Sequence, residues 1–287
     1  ATDIVNCHSS TDSWLDALAL CTLPRAPRLV RTRHVSAPIS RNLVSRWLYR
    51  GASAHVVTTG ERLREQVMRE TGLDPERVNS VPTGIDLERF APGDRGSARA
   101  RLGLPQDAFI VGIVATLRSW KGHRYLVDAV ALARDPRWKL VIVGDGPGKE
   151  NLAAQIAALG AESQISMPGN QDDVVPWLQA LDVFALPSYA NEGVPQAIMQ
   201  AMACRIPIVT TPVGSIGEIV RDGHTGLFVQ PQSADSLRAA LARLDTEPAL
   251  RERLAQAGHD EARSRFGAAI MLDKMERIFL AVVAGSA

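Results

Sequence analysis

The chain has 287 residues, 46% of them hydrophobic and 22% charged, with a formal net charge of +1. That length allows two ordinary domains, the composition is that of a globular protein, and the balanced charge gives no tether for nucleic acid. Three cysteines, Cys7, Cys21 and Cys204, lack metal-ligand spacing and read as small hydrophobes of a reducing, cytoplasmic compartment, and no apolar run reaches the roughly 18 residues of a membrane span.

The first fifty residues are lopsided. Arg25, Arg28, Arg31, Arg33, Arg41, Arg46 and Arg50 stand against Asp3, Asp12 and Asp16. A solvated face is the ordinary reading of such charge. The functional one is peripheral contact with the anionic inner face of a membrane. Strand patterns follow at "DIVNCH", "RLVRTRH", "AHVVTT" and "VNSVP". The opening "ATDIVNCHSS" is already strand-like. A doubly wound half starts from more strands than these, so further strands are expected upstream. A lone histidine, His34, ends the strand "RLVRTRH". Such a residue is more often structural than functional.

Residues 82–107, "PTGIDLERFAPGDRGSARARLGLPQD", are rich in Pro, Gly and charge and read as a linker with a short helix. The expected division is 1–91 for a first domain, 92–265 for a second, and 266–287 for a last helix. In the second domain the strand patterns are "FIVGIVAT", "WKLVIVGD", "QISMPG", "VFALP", "IPIVTT" and "GLFVQ". Helical patterns at 122–134, 149–159, 195–204 and 233–244 alternate with them, as 61–71 does in the first domain. Apolar strands alternating with helices predict parallel sheets covered on both faces.

Ligands of open parallel sheets bind beyond the carboxyl ends of the strands. After "FIVGIVAT", Arg118 and Lys121 lie beside Gly122 and a helix start, a pattern that suits phosphate. After "KLVIVG", Gly144, Gly146 and Gly148 are misplaced for a dinucleotide fingerprint, and a tight turn fits them better. After "VFALP" comes "SYANEGVPQAIMQAMA". Pro195 suits a first helical position. The amides of Gln196 and Ala197 then sit free, with Glu192 just ahead and Gln196 and Gln200 on one face. The bland reading is an acid complementing the helix dipole. Ser215 and Glu218 read as a capping box. Asp172 and Asp173 are adjacent rather than spaced for a cation, so no metal is expected.

Together "VPTGIDLERFAP", "LRSWKG", "LVIVGDGPGKENL", "LPSYANEGVPQAIMQAMA" and "IVTTPVGSIGEIVRDGHTGLFVQP" resemble the retaining glycosyltransferases of family 4. The resemblance covers the linker and second domain closely and residues 1–81 more loosely. It implies a GT-B fold of two facing Rossmann-like, doubly wound parallel-sheet domains, the first incomplete. It implies transfer from a nucleotide-diphosphate sugar to a glycan or lipid-linked acceptor, without metal or cofactor and without nucleic acid. Arg118 and Lys121 would hold the diphosphate, Glu192 the sugar hydroxyls, and Gly193, Val194, Pro195, Gln196 and Ala197 sugar and phosphate. Gln200 would take the ribose, Met167, Pro168 and Gly169 the base, and His34 would approach the sugar. The catalytic set is then Glu192, Lys121, Arg118 and His34.

Three residues depart from the family pattern. Thr116 stands where the family has an arginine, Gln200 where it has a second glutamate, and Arg205 where it has a glycine. An epimerase of the same fold, and a module that binds donor without transferring it, are the competing readings.

Overall fold

The computed structural model describes residues 2–35 and 37–285. They form two compact units. The first holds the chain up to Gly84, the loop Asn191–Val194 and the tail from Ala268; the second holds Ile85–Ala190 and Pro195–Gly267.

The first unit is a four-stranded sheet in sequential order, β1 (Ile4–Cys7), β2 (Arg28–Arg33), β3 (Ser53–Thr58) and β4 (Val78–Ser80). Every pairing is parallel. Parallel strands need crossovers. These are α1 (Ser10–Leu20), α2 (Leu43–Trp47) with a π-helical turn at Leu48–Ala52, and α3 (Glu61–Thr71). Alternate residues of a strand face opposite ways, and both faces are covered. Leu29 packs with Cys7, Ala17 and Leu48, and Val56 with Tyr49, Val67 and Val78. Their neighbours Val30 and Val57 pack with Val81 and Ile278 on the other face.

The second unit carries α4 (Arg95–Leu102), β5 (Phe109–Val114), α5 (His123–Ala131), β6 (Trp138–Val143), α6 (Lys149–Ala158), β7 (Ile165–Gly169) and α7 (Val175–Gln179). It continues through β8 (Val183–Leu186), α8 (Gln196–Ala203), β9 (Ile208–Thr210), β10 (Leu227–Phe228), α9 (Ala234–Thr246) and α10 (Pro248–Arg265). Its six strands lie in the order β10-β9-β8-β5-β6-β7, all parallel. The order reverses between β5 and β8, so the topological switch point lies at the centre of the sheet. Behind it, at the amino ends of the same strands, Asp182 takes Arg99 Nη2 at 2.6 Å and the Ile110 amide at 2.8 Å. Arg99 also donates to the carbonyls of Ala180, Gln106 and Ala108, so this buried ion pair is satisfied on both sides.

The division falls at Gly84 rather than near residue 92. The stretch after Gly84 is held by the second unit: the Ile85 amide donates to Phe266 O at 2.7 Å, and Gln179 Nε2 donates to Ala91 O at 2.9 Å. The terminal helix, α11 (Ala268–Ala284), counts with the first unit rather than standing alone. Its apolar stripe of Met271, Met275, Ile278, Phe279 and Val282 covers Val30, Val57 and Val81. Among the described residues no helix is long and apolar enough to cross a membrane.

Candidate functional site

In the second unit the expected residues follow the strands that flank the switch point. Beyond β5 the chain runs through exposed Thr116 and Arg118 to half-buried Lys121, in a short 3-10 turn over Ser119–Lys121. The Arg118 guanidinium lies 5.2 Å from the centre of the Trp120 ring, so its charge is held on the same loop. Beyond β8 the chain returns past Trp120, where the Tyr189 amide donates to Trp120 O at 2.8 Å. Gly122 makes this approach possible. Its φ is +79°, and a Cβ there would overlap the Pro187 carbonyl oxygen.

The turn after β6 packs against the same loop. Gly144 and Gly146 have positive φ. A Cβ on Gly146 would sit 2.8 Å from Leu117 N, and one on Gly148 2.8 Å from Leu117 O. The glycine run is therefore filled by protein backbone, as a tight turn, and leaves no cradle for a dinucleotide. Met167, Pro168 and Gly169 end β7, half-buried, and Gly169 O accepts from the Gly144 amide at 2.9 Å.

Helix α8 starts one residue later than the sequence suggested. Pro195 is its N-cap, extended at φ −75° and ψ 117°, a conformation compatible with the φ that its ring fixes. The amides of Gln196 and Ala197 lie ahead of the first intrahelical bond, from Ile198 N to Pro195 O at 3.2 Å. Ile198, Met199, Met202 and Ala203 are buried. Gln196 is exposed and Gln200 half-exposed, on the remaining face. Those amides and the positive end of the helix dipole suit phosphate, and Arg118 and Lys121 lie on the loop after β5 that the Tyr189–Trp120 hydrogen bond ties to the chain leading into α8.

The Ser215–Glu218 capping box is not formed. Ser215 makes no side-chain cap bond; Glu218 N donates instead to Ser215 O at 3.1 Å. The segment is a single 3-10 turn, too short to present the free amides a box would satisfy. Arg205 is at φ +60°, the left-handed conformation its glycine-like position demanded, and it is ion-paired with Glu252. Among the described residues no group of three or more His, Cys, Asp or Glu converges as for a metal ion.

The remaining candidates belong to the first unit. His34 follows β2. Glu192, 5% exposed, lies in the 191–194 loop with Gly193 and Val194, and a Cβ on Gly193 would sit 3.3 Å from His34 O. The fold thus brings His34 and the Glu192 loop together. A second histidine, His8, lies beyond β1 with Nδ1 3.0 Å from His34 Nε2. Sequence reasoning missed it, and its place as an apolar strand's carboxyl-end neighbour was the available signal. Partial burial and then His8 hold the His34 pKa below the ordinary histidine value.

The family model of glycosyl transferases group 1 matches residues 94–261, more than half of the chain. The chain belongs to the group 1 glycosyl transferases. The model of Glycosyltransferase Family 4 matches residues 1–89 of this family member. The chain is 36% identical over 231 residues to the D-inositol 3-phosphate glycosyltransferase of Streptomyces bingchenggensis, covering 76% of this chain and 50% of that protein. It therefore spans about half the length of the curated relatives it matches. In fold, the glycosyl transferase chain is similar to HepE from Anabaena in complex with UDP (TM-score 0.86, 22% identity, 97% of this chain and 79% of that one). It is also similar to the C-terminal domain of LpcC, a group 1 family protein from Francisella tularensis (TM-score 0.59, 27% identity, 64% and 99%). The architecture is GT-B, with two Rossmann-like parallel-sheet units.

Proposed function

We propose that this chain carries the donor-binding half of a retaining, metal-independent glycosyltransferase that moves a hexosyl group from a nucleoside-diphosphate sugar. The observation that carries the reading is the switch point between β5 and β8. The loop with Arg118 and Lys121 follows one of these strands, the lead-in to α8 follows the other, and Tyr189 N to Trp120 O ties them together.

In this reading Lys121, Arg118 and the first amides of α8 meet the charge that grows on the departing diphosphate. The base lies by Met167, Pro168 and Gly169, the ribose on Gln200. Glu192 and His34 serve the sugar hydroxyls. No second carboxylate is assigned as a nucleophile, so the leaving phosphate takes the acceptor's proton as the new bond forms on the same face. The related protein named D-inositol 3-phosphate glycosyltransferase favours a phosphorylated cyclitol as acceptor over the glycan or lipid-linked saccharide expected from sequence. HepE, whose complex contains UDP, favours uracil as the base.

A thermal-shift and calorimetry panel of nucleoside diphosphates and their sugars tests the donor assignment. Ligand at 100 times its dissociation constant adds about 2.7 kcal/mol to stability, and no shift with any diphosphate refutes the reading. Product analysis without acceptor separates transfer from epimerisation.

A further inference from the structure

Four side chains at the carboxyl ends of β1 and β2 form a line of hydrogen bonds. Thr32 Oγ1 donates to Asn6 Oδ1 at 3.0 Å. Asn6 Nδ2 lies 3.1 Å from His8 Nε2. His8 Nδ1 lies 3.0 Å from His34 Nε2, with the two ring planes within 21°. Asn6 and His8 are two residues apart, as are Thr32 and His34, so each pair shares one face of its strand.

The line has a direction. A carboxamide oxygen only accepts and its nitrogen only donates. With the Thr32 hydroxyl on Asn6 Oδ1, Asn6 turns Nδ2 towards His8. His8 Nε2 must then accept, and neutral His8 carries its proton on Nδ1. That proton goes to His34 Nε2, so neutral His34 carries its own on Nδ1. We propose that His8 is a positioning residue that fixes His34 as the neutral Nδ1–H tautomer, making His34 a hydrogen-bond donor through Nδ1.

The depressed pKa of His34 accords with this. Adding a proton to His34 Nε2 would set it against the His8 Nδ1–H and break the line. The other groups about His34 do not replace His8. Arg33, on the same strand, donates to the Tyr49 hydroxyl at 2.9 Å and to the Ala37 carbonyl. The 191–194 loop brings Gly193 against the His34 carbonyl and contributes Glu192, which already has a partner. What the Nδ1–H would serve, an oxygen of the donor sugar, rests on the function proposed above; the tautomer does not.

Long-range ¹H–¹⁵N correlation spectra of the 287-residue chain, labelled at histidine, read the tautomer directly. The expected result at neutral pH is a protonated Nδ1 and an unprotonated Nε2 on His34. His8→Asn sets an amide N–H where His8 Nδ1–H was and should keep this pattern. His8→Asp offers only acceptors there and should move the His34 proton to Nε2 and raise its pKa. His55, bonded to Asn79 at 2.8 Å in the same sheet, reports that the unit stays folded. An Nε2–H tautomer in the parent, or the same His34 pattern in His8→Asn and His8→Asp, overturns the proposal. If His34→Ala leaves sugar transfer unchanged while the tautomer is as expected, the sugar-facing role fails and the His8 assignment stands.

Discussion

The backbone of Gly122 lies against the Pro187 carbonyl so closely that a Cβ would overlap the oxygen. This contact sets how near the loop after β5 comes to the loop after β8. A side chain at Gly122 meets two penalties: a left-handed φ of +79°, about 1–2 kcal/mol for an L residue, and overpacking, about 1–3 kcal/mol. Gly122→Ala is therefore expected to lower stability in urea titration by about 2–5 kcal/mol. It should also weaken nucleoside-diphosphate binding, since the Trp120–Tyr189 hydrogen bond spans the same gap. A variant with parental stability and affinity would show that the two loops are not coupled here.

Lys121, which has a partner within the protein, tests the proposed phosphate site. It is half-buried on a short turn, and a charge-assisted bond to phosphate contributes roughly 1.5–3 kcal/mol. Lys121→Ala should weaken UDP binding by about ten- to a hundredfold in calorimetry. Its unfolding midpoint without ligand, measured beside the affinity, separates the loss of Lys121's contact within the protein from the loss of a phosphate partner. Unchanged affinity would remove the diphosphate from this loop.

The strands were the most legible part of the chain. A parallel strand buried on both faces is an unbroken apolar run, and "FIVGIV" or "WKLVIV" needs no partner to be recognised. Helices α3 and α6 were marked by the glycines at 60, 72, 148 and 160. Helix α10 went unnoticed because "PALRERLAQAGHDEARSR" buries only a narrow stripe, Leu250, Leu254, Ala255, Gly258 and Ala262, beneath many charges. The π-helical turn at Leu48–Ala52 has no sequence signature at all. Candidate positions were legible where a residue follows a strand end in sequence, as Lys121 follows β5. The His8–His34 and Trp120–Tyr189 pairs were not, because each depends on which strands are neighbours. That choice is made by packing over the whole sheet. The Ser215–Glu218 box failed for a local reason: the spacing was right, but a 3-10 turn followed where the motif needs an α-helix.

Arg205 occupies a left-handed conformation with φ +60°, and its amide N–H closes helix α8 by donating to Met202 O at 2.9 Å. Glycine there relieves strain of about 1–2 kcal/mol. Against this stand the freer unfolded chain, about 0.4–1 kcal/mol, and the loss of an exposed ion pair with Glu252, a few tenths. Arg205→Gly should raise stability by about 0.5 kcal/mol, read as a higher denaturant midpoint at equal slope. A lower midpoint would mean the Glu252 pair outweighs the backbone strain.

Gln200 stands on the half-exposed face of α8 with Gln196, away from the buried Met199 and Met202. A glutamine both gives and takes a hydrogen bond, as a ribose hydroxyl does. Neutral bonds contribute roughly 0.5–1.5 kcal/mol against about 1.5–3 for charged ones, and an uncharged group is easier to desolvate. Gln200→Glu should change UDP-sugar affinity by less than about tenfold, and Gln200→Leu, which leaves the hydroxyls unpaired, should weaken it more. Equal affinity for Gln200→Leu and the parent would take the ribose away from this face.

His123 gives the second unit an acid-sensitive point. It opens α5, is 3% exposed, and its Nε2 has no hydrogen-bond partner. Burial first, and the neighbouring Lys121 charge second, push its pKa down from 6.5 to about 4. Between these values the unfolded chain binds a proton that the folded protein does not, so stability rises with pH. Lowering the pH from about 7 to 4 should therefore cost up to about 3 kcal/mol from this residue, at about 1.4 kcal/mol per pH unit. The loss should begin near the unfolded pKa and level off below the folded one. His123→Leu removes the titration, so the difference in stability between parent and variant should shrink, or reverse in the variant's favour, as pH falls across that window. Parallel pH profiles for the two proteins would show that His123 is not held neutral, and that the acid limb belongs to another group.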